Sequence, residues 1–142
     1  MIRFEITKLF FDKKAVRDKV DAATRKVLSK FGAFVRQTAK SSIRKRKKPA
    51  PPGQPPSSHI GLLKKFIFFG YDPAKRSVVI GPVRLSQKGR GEAPHLLEHG
   101  GSTMLKRKGK RTRARIQARP FMGPAMKKEH PKLPAMWRDS VR

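Results

Sequence analysis

Cysteine is absent from the 142 residues, which removes disulfides, thiolate metal sites and a cysteine nucleophile together. Acidic residues are scarce too: 9 Asp and Glu stand against 36 Lys and Arg, a formal charge of +27. No apolar run approaches the roughly 18 residues that cross a bilayer. The start, MIRFEITKLFFDKK, places Glu5 where a signal peptide would carry its apolar stretch. These absences predict a soluble, intracellularly made protein with no membrane segment. There is also no G-x-S-x-G, no P-loop and no G-x-G-x-x-G, and KGRGEA lacks the strand-then-helix setting that cradles a phosphate.

What the chain has is positive charge, and it is clustered. Arg44, Lys45, Arg46, Lys47 and Lys48 are five consecutive cations. Lys106, Arg107, Lys108, Lys110, Arg111, Arg113 and Arg115 place seven in ten positions, and neither run contains an acid. A charge run alone reads as solvated surface or arm. Two runs in a chain this basic point to phosphate neutralisation on nucleic acid, or to acidic partners.

The length suits one domain, residues 1–142, with extensions. Ile2, Phe4 and Ile6 alternate with Arg3, Glu5 and Thr7 as in a half-buried strand. Asp12 offers an N-cap, and Val16, Val20, Ala23, Val27, Phe31, Phe34, Val35 and Ile43 then recur at spacings of three and four, with some gaps. This predicts one amphipathic helix over about 13–46. Five prolines in 47–59 forbid helix or ladder there, giving a Pro-rich arm. LLKKFIFFGY and SVVIGP read as a hairpin around DPAKR.

Residues 84–93 and 104–115 read as basic loops, with strands flanking the second. The later strand sets Thr112, Ala114 and Ile116 against Arg113, Arg115 and Gln117, so it should display one arginine face. Residues 127–142 form a proline-broken C-terminal extension with a last turn containing Trp137. The fold class expected is α+β, a long N-terminal helix packed on a small, mostly antiparallel sheet.

One motif suggests chemistry. His95-Leu96-Leu97-Glu98-His99 fits H-x-x-E-H, in which two histidines on one helix face hold zinc and the glutamate polarises water. A third ligand is needed, and downstream only Glu129 and Asp139 are acidic, both in the proline-broken tail. Pro94 and Gly100 also confine the helix to a short turn.

The order of pieces carries a resemblance. A long amphipathic helix is followed by PAPPGQPPSSHIGLLKKFIFFGYD, SVVIGP, PHLLEHGG and ARPFMGPAM, over roughly Val16 to Met126. This series resembles the minor tail protein Z-like, or tail-completion and neck, proteins of tailed bacteriophages. The resemblance implies a virion structural protein without enzymatic activity or cofactor, assembled in the host cytoplasm. It implies a homo-oligomeric ring, commonly of six, where tail meets head. The implied partners are head-completion or connector proteins, tail-tube or terminator proteins, and packaged DNA contacted without regard to sequence.

Under that resemblance Pro51, Pro52, Gly53, Pro55 and Pro56 form a stiff arm for a neighbouring subunit. Glu98, Gly100 and Gly101 form a short helix and turn, with His95 and His99 filling ring-sized positions. Arg119, Pro120 and Phe121 match the family's Arg-Pro-Phe turn, with Arg119 able to pair with Glu98 and Phe121 anchoring the last helix. Both basic runs are expected to meet DNA or acidic neighbours. The chain departs from the family pattern in its high charge and its proline-broken C-terminus. Two other classes stay open: a free basic nucleic-acid-binding module, ribosome- or nucleoid-associated, and a zinc peptidase. The first shows no RNP aromatic pair, GXXG clamp or zinc-finger spacing.

Overall fold

The computed structural model describes residues 12–83, 93–138 and 140. The strand expected at 2–7 and nearly all of the loop expected at 84–93 lie outside the described residues.

Asp12 caps α1, Lys13–Ser42, by accepting the Ala15 N–H on Oδ1 at 3.0 Å. Ala23, Val27, Phe31, Val35 and Ala39, four apart, form its buried stripe. Val16 and Val20, expected on that stripe, are exposed; burial along α1 begins at Ala23. Phe34 is exposed as well.

The helix stops at Ser42, short of the expected 46. Ser41 and Ser42 donate their hydroxyls back to the Thr38 and Ala39 carbonyls, and Ile43 turns extended to bury its side chain. Arg44–Lys45 (β1) then pairs in parallel with Ser57–Ser58 (β2).

The Pro-rich segment between β1 and β2 lies on its own chain. Ala50 and Pro56 are buried, and the Gly53 N–H donates to the Ala118 carbonyl at 2.9 Å. It is therefore not a free arm, although Pro49 and the stretch 51–54 are exposed. Gly61, at φ +79°, turns the chain into a single helical turn, α2, Leu62–Lys65, where a strand was expected.

The first hairpin follows as β3, Ile67–Asp72, and β4, Ser77–Pro82. Its register puts Ile67, Phe69 and Tyr71 opposite Pro82, Ile80 and Val78. That face packs on α1, with Ile67 fully buried. Arg36 of α1 adds a bond from Nε to the Ile67 carbonyl at 2.9 Å. Gly32 marks the closest approach: a Cβ there would stand 2.8 Å from Val78 Cγ2 and 2.9 Å from Phe69 Cδ2.

After α3, Ala93–His99, come β5, Gly101–Arg107, and β6, Lys110–Ile116. The basic loop expected at 104–115 is thus a second hairpin closed by Lys108-Gly109. Both turn residues have positive φ, +47° and +80°, which lets so short a connection follow the strand twist. Helix α4, Met122–Glu129, a 3₁₀ turn, His130–Lys132, and α5, Leu133–Arg138, complete the chain.

The architecture is α+β, but among the described residues the expected single sheet is three separate two-stranded pieces. The core joins Phe31, Val35, Ala39 and Ile43 to Ile67, Phe121 and Ala125. The C-terminal extension is not loose: α4 and α5 both lie on α1, and Leu133 and Met136 pack against the core. Among the described residues no helix is long and apolar enough to cross a membrane.

Candidate polyanion-binding surface

The β5–β6 ribbon carries the densest charge. Ser102 pairs with Arg115, Met104 with Arg113 and Lys106 with Arg111. Directly opposed residues share a face. One face therefore presents Lys106, Arg111, Arg113 and Arg115, and the other Thr103, Leu105, Thr112, Ala114 and Ile116. The arginine face expected from alternation forms, and Lys106 joins it from the facing strand.

Seven residues per strand give a ribbon about 23 Å long. Among the described residues no other helix or strand packs extensively against it. Its root is seated: a Cβ on Gly101 would meet Leu96 Cδ2 at 2.8 Å, and one on Gly100 would meet the Ala118 nitrogen at 3.1 Å. The side chains of Arg111, Arg113 and Arg115 are exposed, and Arg113 Nη2 donates to Ser102 Oγ at 3.2 Å. Among the described residues none of the four face cations makes an ion pair. Lys108 sits in the turn and Lys110 on the opposite face. The Arg107 side chain lies outside the described residues.

The first basic run is elsewhere. Arg44 and Lys45 form β1, Arg46, Lys47 and Lys48 follow it, and all five are exposed. Arg44 and Arg46 border a cleft with α4, whereas Arg113 and Arg115 border one with Ser102. The two runs are thus separate surfaces with different surroundings.

Glu98 has a role that its place in H-x-x-E-H does not announce. Its Oε2 accepts the N–H groups of Phe121 at 2.9 Å and Met122 at 3.0 Å, and its Oε1 accepts that of Gly123 at 2.7 Å. A carboxylate on α3 therefore caps α4, whose own cap residue, Phe121, has no side-chain acceptor. That missing acceptor in Arg-Pro-Phe is the signal the sequence offers.

The expected Glu98–Arg119 pair does not form. Arg119 donates from Nε to the Ala50 carbonyl at 2.7 Å, and its backbone N–H to the Leu97 carbonyl at 2.6 Å. It fastens the Pro-rich segment to the root of the ribbon. Phe121 is buried in the core at the start of α4, one helix before the last, and Pro120 is half-buried.

His95 and His99 do share one side of α3, with ring centroids 4.8 Å apart. Both are exposed, so they fill no packing position within the chain's own core. Both oxygens of Glu98 face backbone amides, and the described residues contain no group of three or more His, Cys, Asp or Glu that could hold a metal.

One acid is buried with partners. Glu129, 3% exposed, accepts from Thr38 Oγ1 at 2.7 Å and pairs with Lys132 at 2.6 Å. Hydrogen bonds from Lys132 and Thr38 hold its carboxyl below the usual carboxylate range. Lys40 is pushed below the ordinary lysine value by desolvation and by the charges of Arg36 and Lys64. No protein-family model, curated protein or solved structure matches the chain.

Proposed function

We propose that this chain is a structural virion protein of a tailed phage, an oligomeric ring subunit at the neck or tail top that joins tail to head around the DNA path. The position in the virion rests on the ordered series of motifs over Val16 to Met126. The contact chemistry rests on one observation, the β5–β6 ribbon, whose four face cations make no ion pair among the described residues and take no part in packing the body. In this reading the protein acts by assembly. Shape-specific contacts fix the ring, and Lys106, Arg111, Arg113 and Arg115 contact phosphates without reading sequence. Six copies would bring about +160 of formal charge to one channel.

The use of Glu98 as a helix cap favours this reading over a zinc peptidase, because a water-activating carboxylate needs a free oxygen. A free nucleic-acid-binding module is the competing reading. A two-stranded ribbon fits a duplex major groove, so the same face serves a lone subunit.

Light scattering on the purified protein in high salt, followed by negative-stain imaging, separates the two. A closed ring of about six subunits is the expected result. A monomer that stays monomeric on DNA, with affinity falling steeply with salt, would transfer the reading to the free module.

A further inference from the structure

The first basic run supplies something different from a charged face. Arg44 and Arg46 line a cleft of about 420 Å³ between the end of α1, the Pro-rich segment and α4. Lys128 enters it from α4, 82 residues further along the chain than Arg46. Gln54 and Ser57 add neutral donors, and Pro55, Phe121, Pro124 and Ala125 form an apolar floor.

Three cations from two distant segments repel one another, a cost that one anion between them would offset. Nothing in the protein does so among the described residues, since Arg44, Arg46 and Lys128 make no ion pair there. The neighbouring acid, Glu129, is already held by Thr38 and Lys132. The Ser41 and Ser42 hydroxyls, also on the wall, are directed to carbonyls of α1 and blunt the negative helix end.

From this we infer that the cleft is a binding site for a single phosphate group. Its oxygens accept from the Arg44 and Arg46 guanidinium groups and the Lys128 ammonium, and the organic part of a phosphate ester covers the apolar floor. Guanidinium forks suit phosphate oxygens bidentately, and the volume falls within the usual range of small-ligand sites. The site does not depend on the ring or on the ribbon. It would hold one phosphate at fixed stoichiometry, whereas the ribbon face binds phosphates diffusely.

The test is titration calorimetry in low-salt buffer free of phosphate. Inorganic phosphate, a nucleoside 5′-monophosphate and a short single-stranded oligonucleotide are each titrated into the full chain. Binding at one per chain is expected. It should weaken about tenfold for each of Arg44→Gln, Arg46→Gln and Lys128→Gln, the scale of a lost hydrogen bond to a charged group.

A triple variant of Lys13, Lys14 and Arg17 to Gln, on the exposed start of α1, removes three charges where each cleft variant removes one, and should still leave the mononucleotide affinity within about threefold. Equal affinity for inorganic phosphate and mononucleotide assigns the site to free phosphate. Tighter binding of the oligonucleotide assigns it to a nucleic-acid strand. The inference is overturned if none of the three binds at one per chain, or if the α1 variant weakens binding as much as the cleft variants. The melting temperature of each variant, measured alongside, confirms that exposed side chains alone were changed. Duplex binding by the ribbon has its own readout in the salt slope, so loss of one site is distinguishable from loss of the other.

Discussion

The two hairpins share an architecture and differ in everything that surrounds it. β3–β4 lays Ile67, Phe69, Val78 and Ile80 on α1, and Ile67 is fully buried there. β5–β6, one residue longer on each strand, has Thr103, Leu105, Thr112 and Ala114 on one face and four cations on the other, and it packs on little but itself. An isolated two-stranded hairpin is marginal in water. Pairing alone therefore does not place a ribbon; the residues on its faces do. The apolar face of β3–β4 finds a helix, whereas both faces of β5–β6 stay largely exposed among the described residues.

The largest effect that would sharpen this contrast is in the body. Phe31→Ala should cost about 3–5 kcal/mol in urea unfolding, whereas Leu105→Ala on the ribbon should stay within about 0.5 kcal/mol. Equal losses at the two sites would end the distinction between packed body and projecting ribbon.

Next comes the reverse experiment. Neutralising Lys106, Arg111, Arg113 and Arg115 to Gln should leave the unfolding midpoint nearly unchanged. It should flatten the dependence of log affinity for duplex DNA on log salt by up to about 0.9 for each phosphate no longer neutralised. An unchanged slope would move the duplex-binding surface elsewhere on the chain.

The link between the two regions should be intermediate in strength. Glu98→Ala removes the acceptor for three N–H groups of α4 and should destabilise by about 2 kcal/mol, with Glu98→Gln costing less. At Gly32 two effects oppose: alanine gains about 1 kcal/mol of helix propensity but forces its Cβ against Val78 and Phe69. Overpacking of about 1–3 kcal/mol should win, giving a net loss of about 1 kcal/mol.

The smallest effect concerns pH. Glu129 titrates lower in the folded chain than in the unfolded one, so the unfolded state binds more protons between those two values. Its contribution is therefore complete above the ordinary carboxylate range and fades as pH falls through the lowered value. Glu129→Gln should flatten this acid limb in urea midpoints measured across pH.

Much of the body is legible in the sequence because apolar spacing records which side is buried. Ala23, Val27, Phe31 and Val35 identify the helix, and the alternation around Arg113 and Arg115 identifies the cationic face. The helix end differs from expectation because Ile43 continues the period while its backbone turns away. The stretch at 104–115 reads as a loop because glycine and dense charge hide strand pairing, which the register reveals by setting Met104 opposite Arg113 and Leu105 opposite Thr112. The cleft is not legible at all: Lys128 meets Arg44 and Arg46 only through the docking of α4 on α1. Glu98 stands out in the sequence, but its partner does not, since capping across elements depends on where α3 and α4 come to lie.

The bonds at the root of the second hairpin also have a mechanical meaning. β5 leaves directly from α3, and β6 returns to the segment that Arg119 ties to Ala50 and Leu97. A pull on the tip is divided between two tethers, one running through Glu98 into α4 and the other through Arg119 into the proline-rich segment. Both tethers end in the core, so the base of the ribbon is fixed at two points while its tip is held only by the pairing of its own strands.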